Sequence, residues 1–255
     1  MTMDVQYENQ IAQNIIAAVL GDKANIAIEV KFSDNLYSDA LTICENPQYC
    51  DFLRSRSPLE ISNCNSLNGM YLMPKDIFST QFILISNLQK KDGYSYISTV
   101  AHETQHAINH TGFCQKYCSN NFASIGSHRF NVSFQIWDEF AARRTGHRIF
   151  TAITMQKILN YSKDDVIIEL RDNQREARLD EINRLLQHPN SVEQYKSIAA
   201  ILAMFDVWSA DYGISLSGLN DWCIEFYQAL CIYPSIQEVN FDRLDSIIRS
   251  LWDRR

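Results

Sequence analysis

His102, Glu103 and His106 form the pattern His-Glu-x-x-His inside the stretch STVAHETQHAINHTG, residues 98–112. On a helix, two side chains four residues apart lie about 40° apart around the axis and about one turn apart along it, so both rings reach one point in space. Neutral imidazole is a strong ligand for zinc, and a carboxylate next to the first histidine is placed to act on a water at the ion. The chemistry this spacing predicts is metal-assisted hydrolysis, with His102 and His106 as ligands and Glu103 as general base. The plainer alternative is a polar helix face carrying two satisfied histidines.

A catalytic zinc takes three protein ligands and leaves its fourth position to water. His110 continues the row, but it lies two turns, about 12 Å, from His102, too far for all three rings to meet one ion without strain. The longer motif with glycine and a third histidine is excluded, because Asn109 and Gly112 stand at those two positions. An acidic residue from another element remains. Glu139 in QIWDEFAARR is the first choice, and Asp138 is the second. Adjacent helical positions point about 100° apart, so only one of them can face the ion. Glu139 also has a simple structural reading, as the ion-pair partner of Arg143 one turn on.

These residues need elements to carry them. Residues 5–20 have apolar positions at helical spacing and stop at Gly21, and residues 25–32 alternate as a half-buried strand. Residues 33–66 show no ordered pattern. GMYLMP (69–74) and QFILIS (81–86) read as two more strands, giving a small sheet ahead of the motif. From Ser95 the period becomes helical, with Ile97, Ala101, Thr104 and Ile108 as the buried stripe and Gly112 as the stop. Residues 113–133 read as a long polar connection, suited to a lid, and Ser133 as the N-cap of the helix bearing Asp138 and Glu139. After Tyr161 only helices are expected, with capping signals at Ser162, Ser191 and Gly213 and further helices over 217–232 and 240–252.

VAHETQHA followed by WDEFAARR resembles the zincin metallopeptidases, in particular the gluzincin branch, and the order of strand, motif helix and glutamate helix is similar to the compact ImmA/IrrE-like intracellular peptidases. The resemblance spans roughly residues 83–148 and is specific at four of them. It implies one zinc ion held by His102, His106 and Glu139, with Glu103 as general base. Where many gluzincins carry an aspartate four residues after the ligand glutamate, this chain has Arg143. No counterpart of the family's oxyanion-stabilising side chain stands out among Tyr94, Tyr96, His128 and His147. The fold class implied is α+β: a zincin-like metallopeptidase domain over residues 1–160 with a small sheet and the motif helix, then an all-helical domain over 161–255. The activity implied is hydrolysis of a peptide or protein substrate. The alternative from another class is a regulatory or interaction protein with a structural zinc and a partner-binding helical domain.

Composition narrows the setting. The 255-residue chain is 46% hydrophobic with only eight glycines and five prolines, enough for a full core and poor in turns, so helix is favoured. A net charge of −7 leaves little for phosphate backbones to bind, so nucleic acid is not an expected partner. The basic group Arg143, Arg144, His147 and Arg148 reads as a salt-bridged helix face. No apolar run approaches the roughly 20 residues of a membrane span, and the N-terminus lacks a signal-peptide pattern, so a cytoplasmic location is expected. The seven cysteines are expected as reduced thiols; Cys114 and Cys118 have ligand-like spacing but no partner pair.

Overall fold

The computed structural model describes residues 5–21, 26–90 and 94–254, and it is a mostly helical α+β fold. The chain divides into two compact units, one ending at His128 and the other beginning at Arg129.

The first unit is built on a three-stranded sheet. Helix α1 (Val5–Leu20) precedes strand β1 (Ile28–Ser33); helices α2 (Leu36–Ile43), α3 (Pro47–Arg54) and α4 (Pro58–Asn65) follow, then β2 (Gly69–Leu72) and β3 (Gln81–Ser86). The order is β1-β3-β2, with β1 parallel and β2 antiparallel to the central β3. Ile83, Leu84 and Ile85 of β3 are fully buried because helices cover both faces. Leu84 joins Leu36, Ala40, Leu53 and Leu72 in a core under α2, while the alternate side chains face α5 (Tyr96–Tyr117). Helix α1 packs on α5.

The second unit is helical: α6 (Asn131–Ile149), α7 (Lys163–Ile168), α8 (Arg175–Leu186), α9 (Val192–Tyr212), α10 (Asp221–Cys231) and α11 (Phe241–Asp253). Wider π-type turns cover Phe150–Ile158 and Glu169–Gln174. Helix α6 lies along α9, and Phe241 of α11 receives the rings of Phe130, Phe134 and Trp137 at centroid distances of 6.0, 6.0 and 6.4 Å. This packing moves the division between units to 128/129, ahead of the expected boundary at 160. The apolar face of α6 is buried on the helices that follow it, so α6 belongs with them.

Several local expectations change. Residues 33–66 form three short helices, each with its own N-cap: Asn35, Asn46 before Pro47, and Ser57 before Pro58 with a reciprocal bond from Glu60. Gly112 does not stop α5, which runs on to Tyr117 because Phe113 and Cys114 are fully buried and extend the apolar stripe. The connection to α6 is correspondingly shorter and contains a 3₁₀ turn at Phe122–Ser124. Ser133 lies inside α6, where its hydroxyl bonds to Asp245. The strand expected from Asn25 begins at Ile28, Asn25 itself lying outside the described residues. Among the described residues no helix is long and apolar enough to cross a membrane.

Candidate metal centre

Helix α5 presents Ile97, Ala101, Thr104 and Ile108 to the interior, and this fixes the rotation of everything else on it. His102, His106 and His110 fall on a neighbouring, half-buried row. The Nε2 atoms of His102 and His106 are 3.0 Å apart, with the ring planes nearly perpendicular at 85°. His110 stands one turn further, its ring centroid 6.1 Å from that of His106 and 5.3 Å from that of Tyr71.

Glu103 is buried, at 8% exposure, and its Oε2 accepts a hydrogen bond of 2.8 Å from the backbone N–H of Tyr71 on β2. The approach of β2 to α5 depends on Gly69. A Cβ there would lie 2.6 Å from Thr99 Cγ2 and 3.0 Å from the carbonyl oxygen of Leu84. The strand is then tied down by a buried polar chain: the Tyr71 hydroxyl donates to Gln81 Oε1, and Gln81 Nε2 donates to Thr111 Oγ1, both at 2.8 Å. In an antiparallel pair, alternate residues turn their amides away from the partner strand. The amide of Asn68's neighbour-but-two, Tyr71, is one of these, since Ser86 N–H already donates to Asn68 O.

His102 and His106 lie on α5 in the first unit, and Asp138 and Glu139 lie on α6 in the second. Glu139 pairs with Arg143 one turn on at 3.6 Å, the contact its plainer reading expects. Asp138 is the more buried of the two, at 3% exposure.

The donor set suits zinc. Tetrahedral zinc with Zn–N near 2.0–2.1 Å holds its ligand atoms about 3.3 Å apart, close to the histidine pair as it stands. Two imidazoles and a carboxylate would match the ligand types of catalytic zinc sites.

The other candidates from the sequence sit elsewhere. Tyr96 is fully buried with its ring edge on Phe32, and burial pushes its hydroxyl up to about 12. Tyr94 lies just ahead of α5, its carbonyl accepting from Ile97 N–H. His128 rests on Phe113 and Tyr117. His147 accepts a 2.6 Å bond from Trp208 Nε1, and burial, with Arg143 and Arg178 nearby, pushes its pKa down to about 3. Cys114 and Cys118 are free thiols whose pKa burial raises, and neither falls in a ligand group among the described residues.

Sequence reasoning passed over Gly69, Tyr71 and Gln81, which join the motif through contacts 30 or more residues apart. Only the glycine opening GMYL hinted at a close approach. Comparison of the chain with protein-family models, with curated proteins and with solved structures finds no match.

Proposed function

We propose that this chain is a zinc-dependent metallopeptidase, with His102, His106 and Glu139 as the metal ligands and Glu103 as the general base. The observation that carries the reading is the His102–His106 pair, with Nε2 atoms 3.0 Å apart beside a buried, backbone-held glutamate. A bound zinc would polarise a substrate carbonyl and bring a water toward neutral pKa. Glu103 takes the proton of the attacking water and returns it to the leaving nitrogen. The Tyr71 amide fixes one of its oxygens and leaves the other for that transfer. His102 and His106 would hold the ion as neutral imidazoles, and Arg143 pairs with the Glu139 carboxylate. The substrate class is a peptide or protein, and the chain works without nucleic acid or membrane.

The test is elemental analysis together with hydrolysis of a mixed fluorogenic peptide library. Native protein should hold about one zinc and cleave, whereas Glu103→Gln should keep the zinc and lose cleavage. Zinc without any cleavage would favour an interaction protein with a structural metal. Absence of zinc binding from the native chain would remove the reading altogether.

A further inference from the structure

Strand β1 lies at one edge of the sheet of the first unit and is paired with β3 on one side only. Along such an edge, alternate residues turn their backbone groups toward the partner strand and the residues between turn theirs away. The bond from the Gln81 N–H to the Ala27 carbonyl, 2.9 Å long, sets the alternation. Ala27, Glu29 and Lys31 address β3, and Ile28 and Val30 present their amides and carbonyls outward. Among the described residues no hydrogen bond closes on these outward groups of Ile28 and Val30. An open row of this kind is a template for a further strand. Glu29 and Lys31 are exposed on one face of the edge, and neither has an ion-pair partner among the described residues. Lys31 Nζ rests over the ring of Phe82, 4.6 Å from its centroid.

We propose that β1 pairs antiparallel with β1 of a second copy of this chain, about a two-fold axis through Val30. The central registers that set outward-turned residues opposite one another have their axis at Glu29, Val30 or Lys31. An axis at Glu29 or at Lys31 brings that residue face to face with its own copy, and like charges directly opposite are destabilising. With the axis at Val30, Glu29 stands opposite the partner's Lys31, and Lys31 opposite the partner's Glu29. Both then occupy the non-hydrogen-bonded positions, where Cα atoms are about 4.5 Å apart and side chains are closest. Ile28 stands opposite the partner's Phe32 on the other face. The strand is thus complementary to itself in one register and repelled in the two beside it, which is the requirement of an isologous contact. Val30 exchanges both of its backbone bonds with its own copy, and the two sheets become one. A single pair of six-residue strands is a small contact, so the assembly is an exchanging dimer that depends on concentration.

The pairing is independent of any metal and of the proposed activity. Sedimentation velocity of the full chain at concentrations up to about 500 µM compares the native protein with Lys31→Glu, Glu29→Lys and the double exchange Glu29→Lys/Lys31→Glu, with circular dichroism to confirm folding. The native chain should associate as its concentration rises. Each single variant sets like charges opposite one another at two places and should dissociate at least about fivefold more readily. The double exchange reverses both charges, keeps every cross-strand pair opposite in sign, and should return to within about twofold of the native chain. A dimer equally strong in all four proteins, or one that the double exchange fails to restore, overturns the proposal. A native chain that stays monomeric throughout also overturns it, and Glu29 and Lys31 then serve to keep the edge from pairing. Should a variant fail to fold, amide hydrogen exchange of the native chain takes its place. The Ile28 and Val30 amides should exchange more slowly in concentrated than in dilute protein, and an unchanged rate overturns the pairing.

Discussion

A glutamate between two metal ligands is useful as a base only if one of its oxygens is held while the other stays available, and the Tyr71 amide does the holding. Glu103→Gln keeps the side chain's shape and its bond to Tyr71 but has no basic oxygen. General-base removal is worth about 10²–10⁴ in rate, so hydrolysis should fall at least about a hundredfold while zinc content stays unchanged. Equal turnover by the two proteins would take Glu103 out of the mechanism. Arg143→Ala is the contrasting case: its partner contact is 3.6 Å long and its side chain half exposed, so it should leave stability within about 1 kcal/mol. A different residue carries a pH dependence of stability. His147 has its pKa pushed down to about 3, chiefly by burial, against about 6.5 when unfolded. Above the unfolded value both states are neutral and the stability is full. As pH falls below it the unfolded chain gains a proton that the folded chain refuses until about pH 3, so stability is lost across that window. Urea midpoints at pH 7 and pH 4.5 should therefore converge in His147→Gln relative to the native chain, and an unchanged gap would show that another group controls the acid limb.

At the scale of elements, the contact that places β2 against α5 is Gly69. Gly69→Ala would push a methyl group into Thr99 Cγ2 and a backbone carbonyl, and overpacking of this kind costs about 1–3 kcal/mol. Thr99→Ser added to it removes the nearest clashing atom, so the double variant should recover part of the lost urea midpoint; no recovery would place the strain at the Leu84 carbonyl instead. The elements themselves were unevenly legible. Strand β3 was read at its observed ends, and the N-caps at Ser162 and Ser191 and the left-handed stop at Gly213 stand where local chemistry puts them. The three helices of residues 36–65 were missed although Asn46-Pro47 and Ser57-Pro58 are N-cap and first-turn signals, because each helix has only eight residues and too short an apolar period to register. Gly112 misled in the opposite sense. Glycine inside a helix costs about 1 kcal/mol, and burying Phe113 outweighs that. At the site, the histidines and Glu103 were legible because their spacing is local, whereas Tyr71 and Gln81 depend on tertiary contacts that no local pattern encodes.

For the whole molecule, metal and fold are linked through the residues that would hold the ion. A ligand that binds only the folded chain stabilises it by an amount set by its concentration over its dissociation constant, about 2.7 kcal/mol at a hundredfold excess. For a chain of 255 residues each kcal/mol moves the thermal midpoint by about 2–4 °C, so saturating zinc should raise it by roughly 5–10 °C over the chelated protein. The chain has two compact units, so a scan can show two transitions, and the zinc-dependent one is the transition that melts α5. His106 is the informative position, because it stands between His102 and His110 in the row on α5. His106→Ala and His102→Ala should each remove most of the response to zinc, because each takes away one of the paired imidazoles. A native midpoint that is the same with zinc and with chelator would mean that the row on α5 holds no ion at these concentrations. The three histidines would then be a packed polar face, their rings stacked edge to face against each other and Tyr71.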